Sequence, residues 1–102
     1  MSVAVIVPAG MAAGGATVYA TLGEVLAALR GEGPAVVCTD GLGGGWLEAV
    51  AAAIRERAGP VIEARSERWD GVTQSPVSAA CRGVISGFGA SGVAAAVGVL
   101  SG

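Results

Sequence analysis

The chain contains no histidine and no lysine. The first absence removes Ser–His and Cys–His nucleophile pairs, histidine metal sites and phosphohistidine relays from what this chain can do by itself. The second removes Schiff-base catalysis by a lysine side chain and any Walker-type loop, whose lysine must reach the phosphates. All 6 basic residues are arginines, dispersed along a chain of net charge −2. Nucleic acid is therefore not an expected partner, because phosphate binding needs concentrated positive charge. Cysteine is nearly absent too: Cys38 and Cys81 stand alone, with no CxxC, so neither a disulfide framework nor a metal site is expected. Two isolated thiols without an export signal point to a reducing cytoplasm. A membrane span is not expected either. The uncharged run 1–23 is broken by Pro8, Gly10, Gly14 and Gly15, and the run 83–102 by Gly87, Gly89 and Gly92.

Charge and aromatic side chains are scarce, at 14% and 4% of the 102 residues, whereas 53% are hydrophobic. The excess is Ala, Val and Gly. Such side chains bury little area each, so a monomer of this length is marginal and burial against further copies is the usual remedy. Every charged residue lies between Glu24 and Arg82. Two uncharged terminal stretches suit a subunit interface, and a homo-oligomer is expected. A second subunit of a larger enzyme is a further candidate partner.

The hydrophobic pattern predicts a single α/β domain over 1–102. Val3–Val7 reads as a buried strand, ended by Pro8. A helix follows to Arg30, on which Val18, Leu22, Val25 and Leu29 share a face; the capping-box spelling Thr21-Leu-Gly-Glu24 would start it at 22 instead. Ala35–Cys38 is the next strand. The helix Trp46–Ala58 carries the stripe Leu47, Val50, Ala51, Ile54 and Ala58 opposite Glu48, Arg55 and Glu56, and Gly59-Pro60 stop it. From Val61–Ser66 on, Glu63, Arg65 and Glu67 alternate, which reads as an edge strand or one with a solvent face. A short helix Pro76–Arg82, a strand Gly83–Ser86 and a terminal helix Val93–Leu100 complete the order. Alternating strands and helices predict a small, mostly parallel sheet of about four strands flanked by helices. A ferredoxin-like α+β arrangement is the rival, since the last segment could also be a strand.

Three strands end in glycine-rich junctions that lead into helices: Pro8–Gly15, Thr39–Gly45 and Gly87–Gly92. In a parallel sheet these gather at the carboxyl edge, where backbone N–H groups at helix starts can face an anion and glycine lets it approach. Gly41, Gly43, Gly44, Gly45, Gly87, Gly89 and Ser91 are the candidate ligand-binding residues. Gly87-x-Gly-x-x-Gly92 spells a dinucleotide fingerprint, but no strand and ribose-binding acid follow it, and no cofactor is indicated. The alternative for all these glycines is tight turns and close helix packing.

Asp40, at the end of a parallel strand, is the candidate acid or base; it could equally cap its own loop. Cys38 is the candidate nucleophile, since a thiol aimed at a helix start can have a depressed pKa; a buried, inert thiol is the alternative. Cys38-Thr-Asp-Gly-Leu-Gly43 resembles the cysteine loop of the IIB phosphocarrier domains of bacterial sugar phosphotransferase systems. That resemblance, carried by Cys38, Gly41 and Gly43, implies a cysteine that accepts a phosphoryl group. Arg68, Trp69 and Asp70 form a further cluster that could hold a carboxylate, or lie along a solvated edge. Together these residues point to a homo-oligomeric protein that binds a small anionic metabolite, with Asp40 available for acid–base catalysis. A structural or regulatory oligomerisation module is the alternative.

Overall fold

The computed structural model describes residues 3–11, 15–66, 75–87 and 90–101. Among the described residues five strands form one sheet: β1 (Ala4–Pro8), β2 (Thr17–Tyr19), β3 (Ala35–Cys38), β4 (Val61–Arg65) and β5 (Gly83–Ser86). Their spatial order is β2-β1-β3-β4-β5, and every pairing is parallel. The helices are α1 (Leu22–Leu29), α2 (Leu47–Glu56), α3 (Pro76–Ala80) and α4 (Ala90–Ser101), with a 3-10 turn at Gly44–Trp46 leading into α2. The parallel α/β arrangement is the one expected, and the all-parallel pairing removes the ferredoxin-like rival.

The strand count differs by β2. Val18 falls on the helical stripe of α1, which favoured a helix from 17, yet Thr17-Val-Tyr19 is β-branched and aromatic and pairs with Ile6–Pro8. The capping box fixes the start of α1: the Glu24 N–H donates to Thr21 Oγ1 at 3.2 Å, and the Thr21 N–H donates to Glu24 Oε1 at 3.0 Å.

The order of strands explains the layers. From β2 over β1 to β3, then to β4 and β5, every crossover moves the same way across the sheet. Right-handed crossovers therefore put α1, α2 and α3 on one face. Among the described helices only α4, after the last strand, turns back over the other face, where it packs on β3, β4 and β5. Two cores result. Ile6, Tyr19, Val37 and Val61 face Val25, Leu29, Val50, Ile54 and Val77 on the three-helix side, while Val7, Val36, Cys38, Ile62 and Ala64 face Val93 and Ala96 of α4.

On α2, Val50, Ala51 and Ile54 are buried, Leu47 is half-buried, and Glu48, Arg55 and Glu56 are exposed. The helix ends two residues before Ala58, which is exposed and bridges to Glu32 instead of extending the stripe. At this amino edge the Arg57 guanidinium donates to the carbonyls of Leu29, Glu32 and Gly33 at 3.0–3.2 Å, tying the end of α1 to the end of α2. Arg82 lies at the same edge, its N–H donating to Val61 O at 2.8 Å.

The reading of Val61–Ser66 as an edge is corrected. β4 pairs on both sides, with β3 and with β5, so it is interior. Its charged face is largely covered: Glu63 is only 2% exposed and lies between Val37 and Val84 on the three-helix side, while Arg65 is half-buried.

Candidate functional site

The strand order reverses between β1 and β3, the place where an open parallel sheet usually leaves a crevice. Here the protein fills it. A Cβ on Gly41 would lie 2.5 Å from Pro8 Cβ and 3.3 Å from the Tyr19 ring, so Gly41 is the residue that lets the β3 loop close onto the end of β1. The Tyr19 hydroxyl donates to Cys38 O at 2.6 Å from within the core, and burial pushes its phenol up to about 12.

The opening lies one strand further along, between the carboxyl ends of β3 and β4. A pocket of about 250 Å³ is lined there by Thr39, Asp40, Leu42, Leu47, Glu63, Arg65, Ser75 and Val77. Parallel register puts Glu63 and Arg65 on the same face of β4, since neighbours two apart on a strand point the same way. Glu63 is at the base. Its Oε2 accepts from Thr39 Oγ1 at 2.6 Å and its Oε1 from Ser78 Oγ at 2.5 Å. Ser78 is held in turn by the cap of α3: its N–H donates to Ser75 Oγ at 3.1 Å, and the two hydroxyls are 3.1 Å apart. Pro76 at the first helical position suits this start, because its missing N–H would have no partner there. Glu63 is the only charged residue among the buried residues described. Both its bonds come from neutral hydroxyls, and a buried carboxylate that makes no ion pair among the described residues is costly unless it has a task.

Arg65 stands at the rim. Its Nε is buried without a hydrogen-bond partner, an unusual state for a guanidinium donor. Asp40 is exposed, and both its oxygens are engaged: Oδ1 accepts from the Ser66 N–H at 2.8 Å and Oδ2 from Ser66 Oγ at 2.6 Å. That pair of bonds staples the end of β3 to the end of β4. Asp40 thus shapes the mouth, while the carboxylate at the base belongs to Glu63.

The Cys38 thiol sits on the other face of the sheet, in the α4 core. Burial pushes it up to about 11, and the Asp40 and Glu63 carboxylates push the same way against the Asp40 backbone N–H. At neutral pH it is a thiol, which is a poor nucleophile. Burial, with Glu63 adding to it, likewise holds Cys81 up to about 12.

The glycine junctions are not equivalent: the one after β1 leads into β2 and not, as expected, into a helix, while those after β3 and β5 precede α2 and α4. Gly43 lies against the Trp46 ring, whereas Gly44 and Gly45 are exposed with open space around them. The Gly87 N–H is engaged by Arg65 O at 3.0 Å, and the positive φ of Gly87, +88°, turns the chain there. Ser91 is exposed on α4. Gly89 and the cluster Arg68, Trp69 and Asp70 lie outside the described residues.

Glu63, Arg65, Thr39, Ser75 and Ser78 are the site residues that the sequence reading passed over. A signal existed: in a run of sequential crossovers the last strand but one is interior, so an acid–base alternation on it must face helices. Among the described residues no group of acids and cysteines could hold a metal ion, and no helix is long and apolar enough to cross a membrane. No protein-family model matches this chain, and no curated protein or solved structure matches it.

Proposed function

We propose that this chain binds a small carboxylate- or phosphate-bearing metabolite in the pocket between β3 and β4. Arg65 anchors the anion, and Glu63 is the acid or base that faces it. The observation that carries this reading is the juxtaposition of a buried Glu63 carboxylate and a buried, unpartnered Arg65 Nε in one pocket. A guanidinium donor out of water gains most from a carboxylate or phosphate oxygen, because such bonds are charge-assisted. The volume, about 250 Å³, is below the roughly 300–1,000 Å³ of sites for drug-sized ligands, which restricts the occupant to a small molecule. Asp40 and the Gly41–Gly45 loop then serve as the frame. The test is a titration of the full chain with acetate and with inorganic phosphate, followed by amide chemical shifts. Saturable shifts centred on Thr39, Glu63 and Arg65 are expected, with Arg65→Gln weakening binding about tenfold or more. Shifts that stay linear, or that survive Arg65→Gln unchanged, would exclude the site.

Self-association is the second part of the reading. The charge-free terminal stretches form β1, both edge strands β2 and β5, and α4. Val18 on one edge is 50% exposed, Val84 on the other 40% and Val99 on α4 65%. Uncharged edges with exposed valines lack the charges by which soluble proteins keep sheet edges apart. A dimer or larger species is expected in sedimentation at micromolar concentration; a sharp monomer boundary would refute assembly. Both cysteines are free thiols, which suits the reducing cytoplasm as the compartment.

A further inference from the structure

The pocket between β3 and β4 has two chemically opposite ends. At one is Arg65, with a buried donor that lacks an acceptor. At the other is Glu63, a carboxylate whose two recorded bonds come from the hydroxyls of Thr39 and Ser78. A carboxylate offers about four lone-pair sites, so Glu63 retains capacity to accept. It also lacks a cation: among the described residues no arginine is in ion-pair contact with it, although Arg65 is two residues away on the same face. A simple anion would satisfy Arg65 and leave Glu63 as it is, with a second negative charge brought close to it. A molecule that carries a cationic donor beside its anionic group would satisfy both.

Resting on the proposed anion site, we infer that its ligand is a small amino acid, bound as the zwitterion, with its carboxylate on Arg65 and its ammonium on Glu63. Strand geometry sets the length. Residues two apart on one face are separated by roughly 7 Å, so the two charged ends can be bridged by one short molecule but not by an extended one. The half-buried apolar side chains Leu42 and Leu47 line the same pocket and offer a wall to a small side chain. Thr39 and Ser78 hold the Glu63 carboxylate in one orientation before the ligand arrives, which lowers the ordering cost of binding.

Three probes that differ in one group decide the matter on the full-length chain. Acetate supplies the anion alone, glycolate adds a neutral hydroxyl donor, and glycine adds the ammonium. Glycine is expected to bind at least about tenfold more tightly than acetate, by titration calorimetry or amide shifts, with glycolate between them. Glu63→Gln keeps the shape and removes the charge. It should reduce glycine to the affinity of acetate while acetate itself binds as well as before or better. Equal affinities for acetate and glycine in the wild-type chain would overturn the inference and leave the anion site standing. So would glycolate binding as tightly as glycine, or a glycine preference that survives Glu63→Gln. The wild-type comparison needs no variant to fold. Failure of all three probes to bind would overturn the inference, and failure of inorganic phosphate as well would overturn the anion site itself.

Discussion

Gly59→Ala is expected to destabilise the protein by about 2–6 kcal/mol, among the largest losses from any single methyl group added to this chain. Two costs act together. Gly59 has a φ of +138°, a conformation that L side chains rarely adopt. A Cβ there would also stand 2.5 Å from the carbonyl carbon and 2.9 Å from the Cα of Gly33, and backbone cannot rotate out of the way. The loops after α1 and α2 interlock at this point. The Gly33 N–H donates to Ala58 O at 2.6 Å, and the Arg57 guanidinium holds the carbonyls of the opposite loop. Gly33→Ala separates the two costs. Its φ is +92°, but nothing lies within 4 Å of its Cβ position, so conformational strain acts without a clash. Chemical denaturation of both variants checks this. If Gly59→Ala costs no more than Gly33→Ala, the two loops do not meet as closely as the structure has them.

Ile54→Ala is expected to cost about 2–5 kcal/mol. Ile54 is 4% exposed on the inner face of α2, in the core shared with Val50, Ala51, Val61 and Val77. The neighbours are mostly Val and Ala. Short, β-branched side chains have little reach to collapse into a cavity, so the loss should fall in the upper half of that range. Arg55→Ala, one residue along and exposed, should stay within about 0.5 kcal/mol. Equal effects of the two substitutions, measured as shifts of the denaturation midpoint, would mean that α2 presents another face to the sheet.

The helical part of this outcome was legible in the sequence because it depends on spacing. Val50, Ala51 and Ile54 recur at helical intervals, and Gly59-Pro60 mark where the helix must end. The capping box at Thr21 and Glu24 was equally local: it needs only residues three apart. Cys38 was harder. Its place at a strand end was readable, but the direction of its thiol depends on which face of β3 meets α4. Asp40 was identified as a polar residue at the right edge of the sheet. Its partner Ser66 is 26 positions away, and only the pairing of β3 with β4 brings the two together.

What the sequence determined by itself is most of the alternation of strands and helices, which made a parallel sheet the expectation, and the confinement of charge to the middle of the chain. These are local or compositional properties, readable before any tertiary contact forms. The tertiary structure alone decided which charged residues leave water. Period-2 alternation states that Glu63 and Arg65 share a face of β4, but it does not state what covers that face. The cover is decided by three sequential right-handed crossovers, which place β4 inside the sheet and lay α2 and α3 over it. The same pattern that would make a solvated edge on an outer strand therefore encloses a carboxylate and a guanidinium in one small pocket.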